Sequence, residues 1–268
     1  GFESESVIIP MKSGSTLCIS SQVGCQMGCA FCETGRMGLL RNLSVSEIVS
    51  QVFIACCIYE VPVRNIVFMG MGEPFDNFDA VMQAIEVLTC PVGLGFYPRN
   101  ITVSTSGKVP EILRFSKEAP TGLHLAVSLN APNDLIRDKL MPVNRKWNLQ
   151  ALKDAMLVYL IHPKREILIE YVLIGGVNDS EEDAYQVVSY LANMRVRVNL
   201  IPYNSQSSGR LKAPLDSKVD AFRKILKSSG LSVFVRTTKG DSIMAACGQL
   251  GNKALKKNTG LKSALPLL

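Results

Sequence analysis

Three cysteines crowd one short, glycine-bearing stretch: Cys25, Cys29 and Cys32 stand in the spacing Cys-x3-Cys-x2-Cys, with Gly24 and Gly28 beside them. Thiolates this close along the chain can each meet a different iron of one cluster, and the glycines let the backbone wrap tightly around it. Clusters that only carry electrons usually take four cysteines, whereas a compact run of three leaves one iron open to a substrate or cofactor. The spacing therefore predicts a site-differentiated 4Fe-4S cluster that takes part in chemistry. A zinc knob or a chance grouping of buried thiols is the competing reading of the triplet.

A second stretch, Met69-Gly70-Met71-Gly72-Glu73-Pro74, places two glycines and a carboxylate where backbone can approach a ligand and an acid can grip an ammonium group. By itself such a turn is an ordinary strand-to-helix connection, and its company with the triplet gives it weight. Ser104, Ser128 and Asn204 are polar residues at the ends of apolar runs, where hydroxyls and amides commonly just satisfy loop backbone. Two more cysteines stand apart from the triplet. Cys18 alternates with Leu17 and Ile19, so its thiol lies on the opposite face of a strand from them. Cys247 sits among small residues in Ala245-Ala246-Cys247-Gly248, where an accessible thiolate would be a good nucleophile toward a methyl-sulfonium. Structural packing is the alternative for each, and it is the reading for Cys56, Cys57 and Cys90, which lie in apolar, helix-like surroundings.

The elements that must position these residues alternate along the chain. Strand-like runs are expected at residues 16–21, 65–69, 100–105, 123–129, 166–173, 197–202 and 232–236. Helix-like amphipathic stretches are expected at 46–58, 78–88, 149–161, 181–193 and 217–229. Ser44 with Glu47 forms a capping box that fixes the start of the first helix. Alternating strands and helices imply right-handed crossovers and a parallel sheet, giving an α/β fold closed or partly closed into a TIM-like barrel. The informative polar residues fall where strands end, and in such a barrel those loops share one face.

The bulk numbers are permissive. A chain of 268 residues, 47% hydrophobic and 19% charged, suits one large domain. No apolar run approaches the roughly 20 residues that span a bilayer, so no membrane is expected. No basic leader with a cleavage site is visible, and the expected location is the cytoplasm. Eight cysteines then argue for metal or redox chemistry before disulfides. The two histidines, His124 and His162, lie far from the cysteine run and lack zinc-finger spacing. A net charge of +6 permits an acidic partner such as nucleic acid without requiring one.

With these residues in view, the chain resembles the RlmN/Cfr family of radical S-adenosylmethionine (SAM) RNA methyltransferases, which methylate adenosine in 23S ribosomal RNA. The resemblance runs from Glu5 to Leu250. Its most specific pieces are TLCISSQVGCQMGCAFC from Thr16 to Cys32, MGMGEP, Ser104-Thr105-Ser106-Gly107, Ala131-Pro132-Asn133-Asp134 and the late Ala-Ala-Cys-Gly-Gln-Leu. Chance does not assemble all five in order.

The resemblance implies a radical SAM partial (β/α)6-type barrel and a mechanism that uses two SAM molecules per turnover. One SAM methylates the cysteine matching Cys247. A 4Fe-4S cluster on Cys25, Cys29 and Cys32, fed by an external electron donor, reduces the second SAM to a 5′-deoxyadenosyl radical, which takes hydrogen from the methyl-cysteine. The resulting thiomethylene radical adds to adenine C2, and the thiol matching Cys18 resolves the adduct as Cys247 leaves in a disulfide. Gly72, Glu73, Ser104, Ser128, Leu129, Asn130 and Asn204 match SAM-binding positions, and Glu5 matches a proton acceptor. The expected RNA is 23S rRNA, with transfer RNA as a second substrate by family analogy, and the expected state is a monomer.

Two departures from the family pattern stand out: Asn130 occupies a usual histidine position, and Met244 replaces a usual acidic residue before Ala-Ala-Cys. The catalytic body is expected over residues 1–250, with a basic, flexible tail over 251–268 and without the family's small N-terminal accessory domain. Arg36, Arg41, Arg99, Arg137, Lys139, Arg145 and Lys146 lie in or beside expected loops and are candidate phosphate contacts. The alternatives are methylation at C8 of the same adenosine, a radical SAM activase that abstracts hydrogen without transferring methyl, and a non-catalytic zinc-binding RNA module.

Overall fold

The protein is described by a computed structural model over residues 2–204, 211–236 and 250. Ten strands lie within these residues: β1 (Val7–Met11), β2 (Gly14–Cys18), β3 (Gln22–Cys25), β4 (Gly38–Asn42), β5 (Val63–Phe68), β6 (Ile101–Thr105), β7 (His124–Ser128), β8 (Ile167–Leu173), β9 (Val196–Pro202) and β10 (Ser232–Val235). Eight form one sheet in the order β1-β2-β5-β6-β7-β8-β9-β10, curled into a half-barrel, while β3 and β4 pair with each other in a separate ribbon. Every neighbour from β2 to β10 is parallel, and β1 adds an antiparallel edge. The expected partial barrel is thus the fold, and β1 and the β3–β4 ribbon are additions to it.

Alternation explains which face is which. Ile167, Ile169, Tyr171 and Leu173 of β8 join the core cluster, as do Val196, Val198 and Leu200 of β9. The intervening Glu170 and Asn199 therefore face the concave side, because successive strand side chains point oppositely. Leu17 and Ile19 likewise enter the core, and Cys18 takes the other face.

Helices cover the convex side: α2 (Val45–Phe53), α3 (Phe78–Thr89), α4 (Val109–Glu118), α6 (Leu149–Leu160), α7 (Glu181–Leu191) and α8 (Asp216–Ser228). Two short helices, α1 (Glu33–Arg36) and α5 (Asp134–Leu140), sit at the ends of strands. The capping box at Ser44 and Glu47 is present, and α7 has one of its own from Ser180 and Asp183. The first helix was expected to run unbroken through residue 58; it changes at Ile54–Ile58 to a π-helical turn. There the Ala55 carbonyl accepts from Val61 N–H at 2.9 Å, so the chain returning toward β5 satisfies a terminal carbonyl that an α-helical end would leave orphaned. Among the described residues no helix is long and apolar enough to cross a membrane.

Candidate active site

The cysteine run folds by way of the β3–β4 ribbon. Gly24 has φ +76°, and a Cβ there would stand 1.9 Å from the Gly38 carbonyl oxygen, so only glycine fits this crossing. Cys25 ends β3, and Cys32 is the N-cap of α1. The loop between them is tied to its surroundings: Ala30 N–H donates to the Leu140 carbonyl at 2.9 Å, and Gln26 donates to Asp76 at 2.8 Å. Asp76 also pairs with Lys108, at the start of α4, joining the loops after β3, β5 and β6. Thr34 of α1 donates its hydroxyl to the carbonyl of Leu250 at 2.6 Å, in a buried contact across 216 residues of sequence.

One cavity at the carboxyl ends of the strands is lined by Cys25, Cys29 and Cys32 together with Gly72, Glu73, Ser104, Ser128, Asn130, Glu170 and Asn204. Burial pushes all three thiols above the ordinary cysteine range, and the charges of Cys32 and Cys25 push Cys29 further. The Arg137 charge opposes the rise at Cys29 without cancelling it, so the thiols stay protonated until a metal cluster displaces the protons and supplies the charge that makes thiolates tenable. Among the described residues no three His, Cys, Asp or Glu side chains gather closely enough to hold a single metal ion. Three thiols lining one cavity suit a polynuclear cluster, in which each thiolate meets its own iron.

Glu73 is only 3% exposed, and its carboxyl is fixed by backbone: Phe75 N–H donates to Oε1 at 3.1 Å and Ser106 N–H to Oε2 at 2.7 Å. Burial raises its pKa, and those donors oppose the rise. Gly72, with φ +102°, lies so close to Gln22 that a Cβ would stand 2.6 Å from that side chain, while Gln22 Oε1 accepts from Glu73 N–H at 2.8 Å. Asn130 has φ 55°, a conformation asparagine tolerates better than most residues. Its Oδ1 accepts from Val172 N–H at 2.8 Å, and its carbonyl accepts from Asn178 Nδ2 at 2.8 Å. Asparagine at this position thus serves the backbone of β8 as well as the cavity wall.

Other expected site residues lie elsewhere. Cys18 is buried at the end of β2 but does not line the cavity. The Leu129 side chain packs in the core, and its backbone N–H donates to the Glu170 carbonyl at 3.0 Å. Glu5 is half-buried on the approach to β1, where its carbonyl accepts from the Ser20 hydroxyl at 2.6 Å. Cys247 and the tail at 251–268 lie outside the described residues.

Arg137 is corrected outright. Expected as a loop residue touching RNA phosphate, it is 0% exposed and donates to the carbonyls of Leu129, Ser106 and Ser128 and to Asn144. Its position on α5, after Asn133 caps the helix, turns it inward across the ends of β6 and β7. Arg41 pairs with Glu47 at 2.6 Å and Arg36 with Glu33 at 2.9 Å, so part of their charge is matched locally.

Sequence reasoning missed Arg137 in this role, and it missed Glu170 and Asn199. The available signal was a lone acid inside the apolar strand Ile167–Leu173.

The signature of the Radical SAM superfamily matches residues 19–188. The probable dual-specificity RNA methyltransferase RlmN 1 of Protochlamydia amoebophila is 54% identical over 94% of this chain and 71% of its own length. The dual-specificity RNA methyltransferase RlmN of Syntrophotalea carbinolica is 47% identical, over 93% of this chain and 66% of that protein. The chain belongs to the RlmN family of radical SAM RNA methyltransferases. The crystal structure of a radical SAM methyltransferase from Sphaerobacter thermophilus superposes with a TM-score of 0.90 at 42% identity, covering 93% of this chain and 74% of that one. Membership in this family implies SAM and a 4Fe-4S cluster, and the three cavity thiols are the residues suited to hold the cluster.

Proposed function

We propose that this RlmN-family protein adds a methyl group to C2 of an adenosine in 23S rRNA, and to a transfer RNA adenosine as a second substrate, through S-methylation of Cys247 and two SAM molecules per turnover. The observation that carries this reading is the meeting of Cys25, Cys29 and Cys32 with Glu73, Ser104, Ser128, Asn130 and Asn204 around one cavity. When bound by the three thiolates, the cluster supplies the electron, taken from an external donor, that splits SAM reductively.

The chain's own residues do the rest. Glu73, its carboxyl fixed by two backbone donors, presents its remaining lone pairs to the ammonium of SAM beside Gly72. Ser104, Ser128, Leu129, Asn130 and Asn204 form the remainder of the SAM-binding positions. The Cys247 sulfur takes the methyl as the sulfonium bond breaks. Once that carbon has given up one hydrogen atom to the 5′-deoxyadenosyl radical derived from the second SAM and is joined to adenine, Glu5 accepts the proton released at C2 and the unpaired electron would pass back to the cluster. Cys18, as a thiolate, then attacks the Cys247 sulfur, the sulfur–carbon bond breaks, the freed carbon takes up a proton to become the methyl group, and the two sulfurs are left as a disulfide. An amidine carbon such as C2 is a poor nucleophile, which is why a covalent carrier is needed. The catalytic body lies within residues 1–250, and the protein acts as a monomer in the cytoplasm.

Anaerobically reconstituted protein, given SAM, a reductant and either 23S rRNA or transfer RNA, should yield C2-methyladenosine by nuclease mapping and mass spectrometry. A C8-methyl product, or none, would overturn the C2 assignment. Full methylation by Cys247→Ala, with no S-methylcysteine in the wild-type protein, would overturn the carrier role.

A further inference from the structure

Two buried carboxyls line the cavity, and they differ in how they are satisfied. Both oxygens of Glu73 receive backbone N–H groups. Glu170 is 5% exposed, and among the described residues the side chain that donates to it is Asn199 alone, whose single Nδ2 lies 3.2 Å from Oε1 and 3.0 Å from Oε2. One neutral amide leaves most of the lone pairs of a carboxylate unmatched, and buried polar groups are seldom left so. The open direction is the cavity that Glu170 itself lines.

Register fixes its neighbours. Glu170 of β8 stands directly beside Ser128 of β7 on one side and Asn199 of β9 on the other. Asn204 follows the end of β9 and lines the same cavity. An acidic side chain accepting from ribose hydroxyls is how dinucleotide-binding α/β sites hold ribose, and here the acid stands mid-strand on the concave face, between the Ser128 hydroxyl and the Asn199 amide.

Resting on the reading that this cavity takes SAM and an RNA adenosine, we propose that Glu170, oriented by Asn199, accepts hydrogen bonds from the ribose hydroxyls of an adenosine bound there. Burial raises the Glu170 pKa to about 7, while the charge of Arg236 and the Asn199 amide pull it down. A carboxyl near neutrality can accept or donate, which matches hydroxyls; an ammonium could only donate. The adenosine is either the adenosyl part of SAM or the target nucleotide, and the two are separable by experiment.

Wild-type, Glu170→Gln and Asn199→Ala holoenzymes would be titrated anaerobically with SAM and with 2′-deoxy-SAM. They would also be assayed for methylation of an RNA substrate carrying either ribose or 2′-deoxyribose at the target adenosine. In one arm, wild type should lose about tenfold or more on removal of the hydroxyl, Glu170→Gln should lose the same with the intact ligand, and the two losses should not add. Asn199→Ala should show a smaller loss of the same kind. Non-additivity in the SAM arm assigns the cofactor, and in the RNA arm the target. Additive losses, or no loss, in both arms would overturn the proposal. Wild-type holoenzyme that binds no SAM and methylates no RNA would instead refute the parent reading.

Discussion

Arg137 donates to the carbonyl of Ser106 at 2.7 Å, and the same Nη2 reaches the carbonyl of Ser128 at 3.0 Å. One guanidinium therefore holds the ends of β6 and β7 at a fixed separation, and those ends carry cavity-lining residues. Burial lowers its pKa, and the nearby charges of Asp134 and Asp138 are among those that resist the fall. Arg137→Met should strand three carbonyls and the Asn144 amide oxygen in a buried site, at a cost of about 3–5 kcal/mol in chemical denaturation. Arg137→Lys keeps the charge but not the fork and should recover only part of that loss. Stability equal to wild type in Arg137→Met would show that the clamp is dispensable.

Gly24→Ala should disrupt the β3–β4 ribbon, because its φ is +76° and the new Cβ would lie 1.9 Å from the Gly38 oxygen. The half-barrel does not contain this ribbon. Circular dichroism should remain near wild type, while iron bound after anaerobic reconstitution should fall sharply. Full iron loading by the variant would rule out a role for the tight crossing in shaping the cluster loop.

Single replacement of Cys25, Cys29 or Cys32 by alanine should reduce iron and sulfide to background after reconstitution. Removing a buried thiol that is protonated in the metal-free protein should change apo-protein stability little, by about 1 kcal/mol. Near-stoichiometric iron in all three variants would refute the ligand assignment.

Glu170 makes stability depend on pH in a direction opposite to that of a salt-bridged acid. Its folded pKa of about 7 lies above the ordinary glutamate value of 4.5, so the native state holds the proton more tightly than the unfolded chain. Its contribution is present below the unfolded value and is lost as pH rises toward 7, a swing on the order of 3 kcal/mol. Glu170→Gln should flatten this slope and be the more stable protein at pH 8. Parallel stability-pH curves for variant and wild type would contradict the assignment.

What could be read from the sequence was what depends on local order. Cysteine spacing, the Gly72-Glu73 turn and the Ser44-Glu47 box act over a few residues, and alternation sufficed to put Cys18 opposite Leu17 and Ile19. The Glu170-Asn199 pair could not be read this way, because it exists only in the register of two parallel strands joined by a helix. Arg137 was misread because a basic residue near a loop resembles a solvated one, and nothing in its neighbours reveals that three carbonyls converge on it. The β1 edge was overlooked for a similar reason: Val7–Met11 contains Pro10, which marks an edge strand only once its partner is known.

The bond from Thr34 to the Leu250 carbonyl gives the cysteine loop a place in time as well as in space. Chains emerge from the ribosome N-terminal end first. A contact spanning 216 residues closes only after all the residues between Thr34 and Leu250 have been made. The thiols are thus synthesised early, but the buried contact that secures their loop forms late, and a cluster would be installed in its finished setting only once residue 250 has been made and folded back.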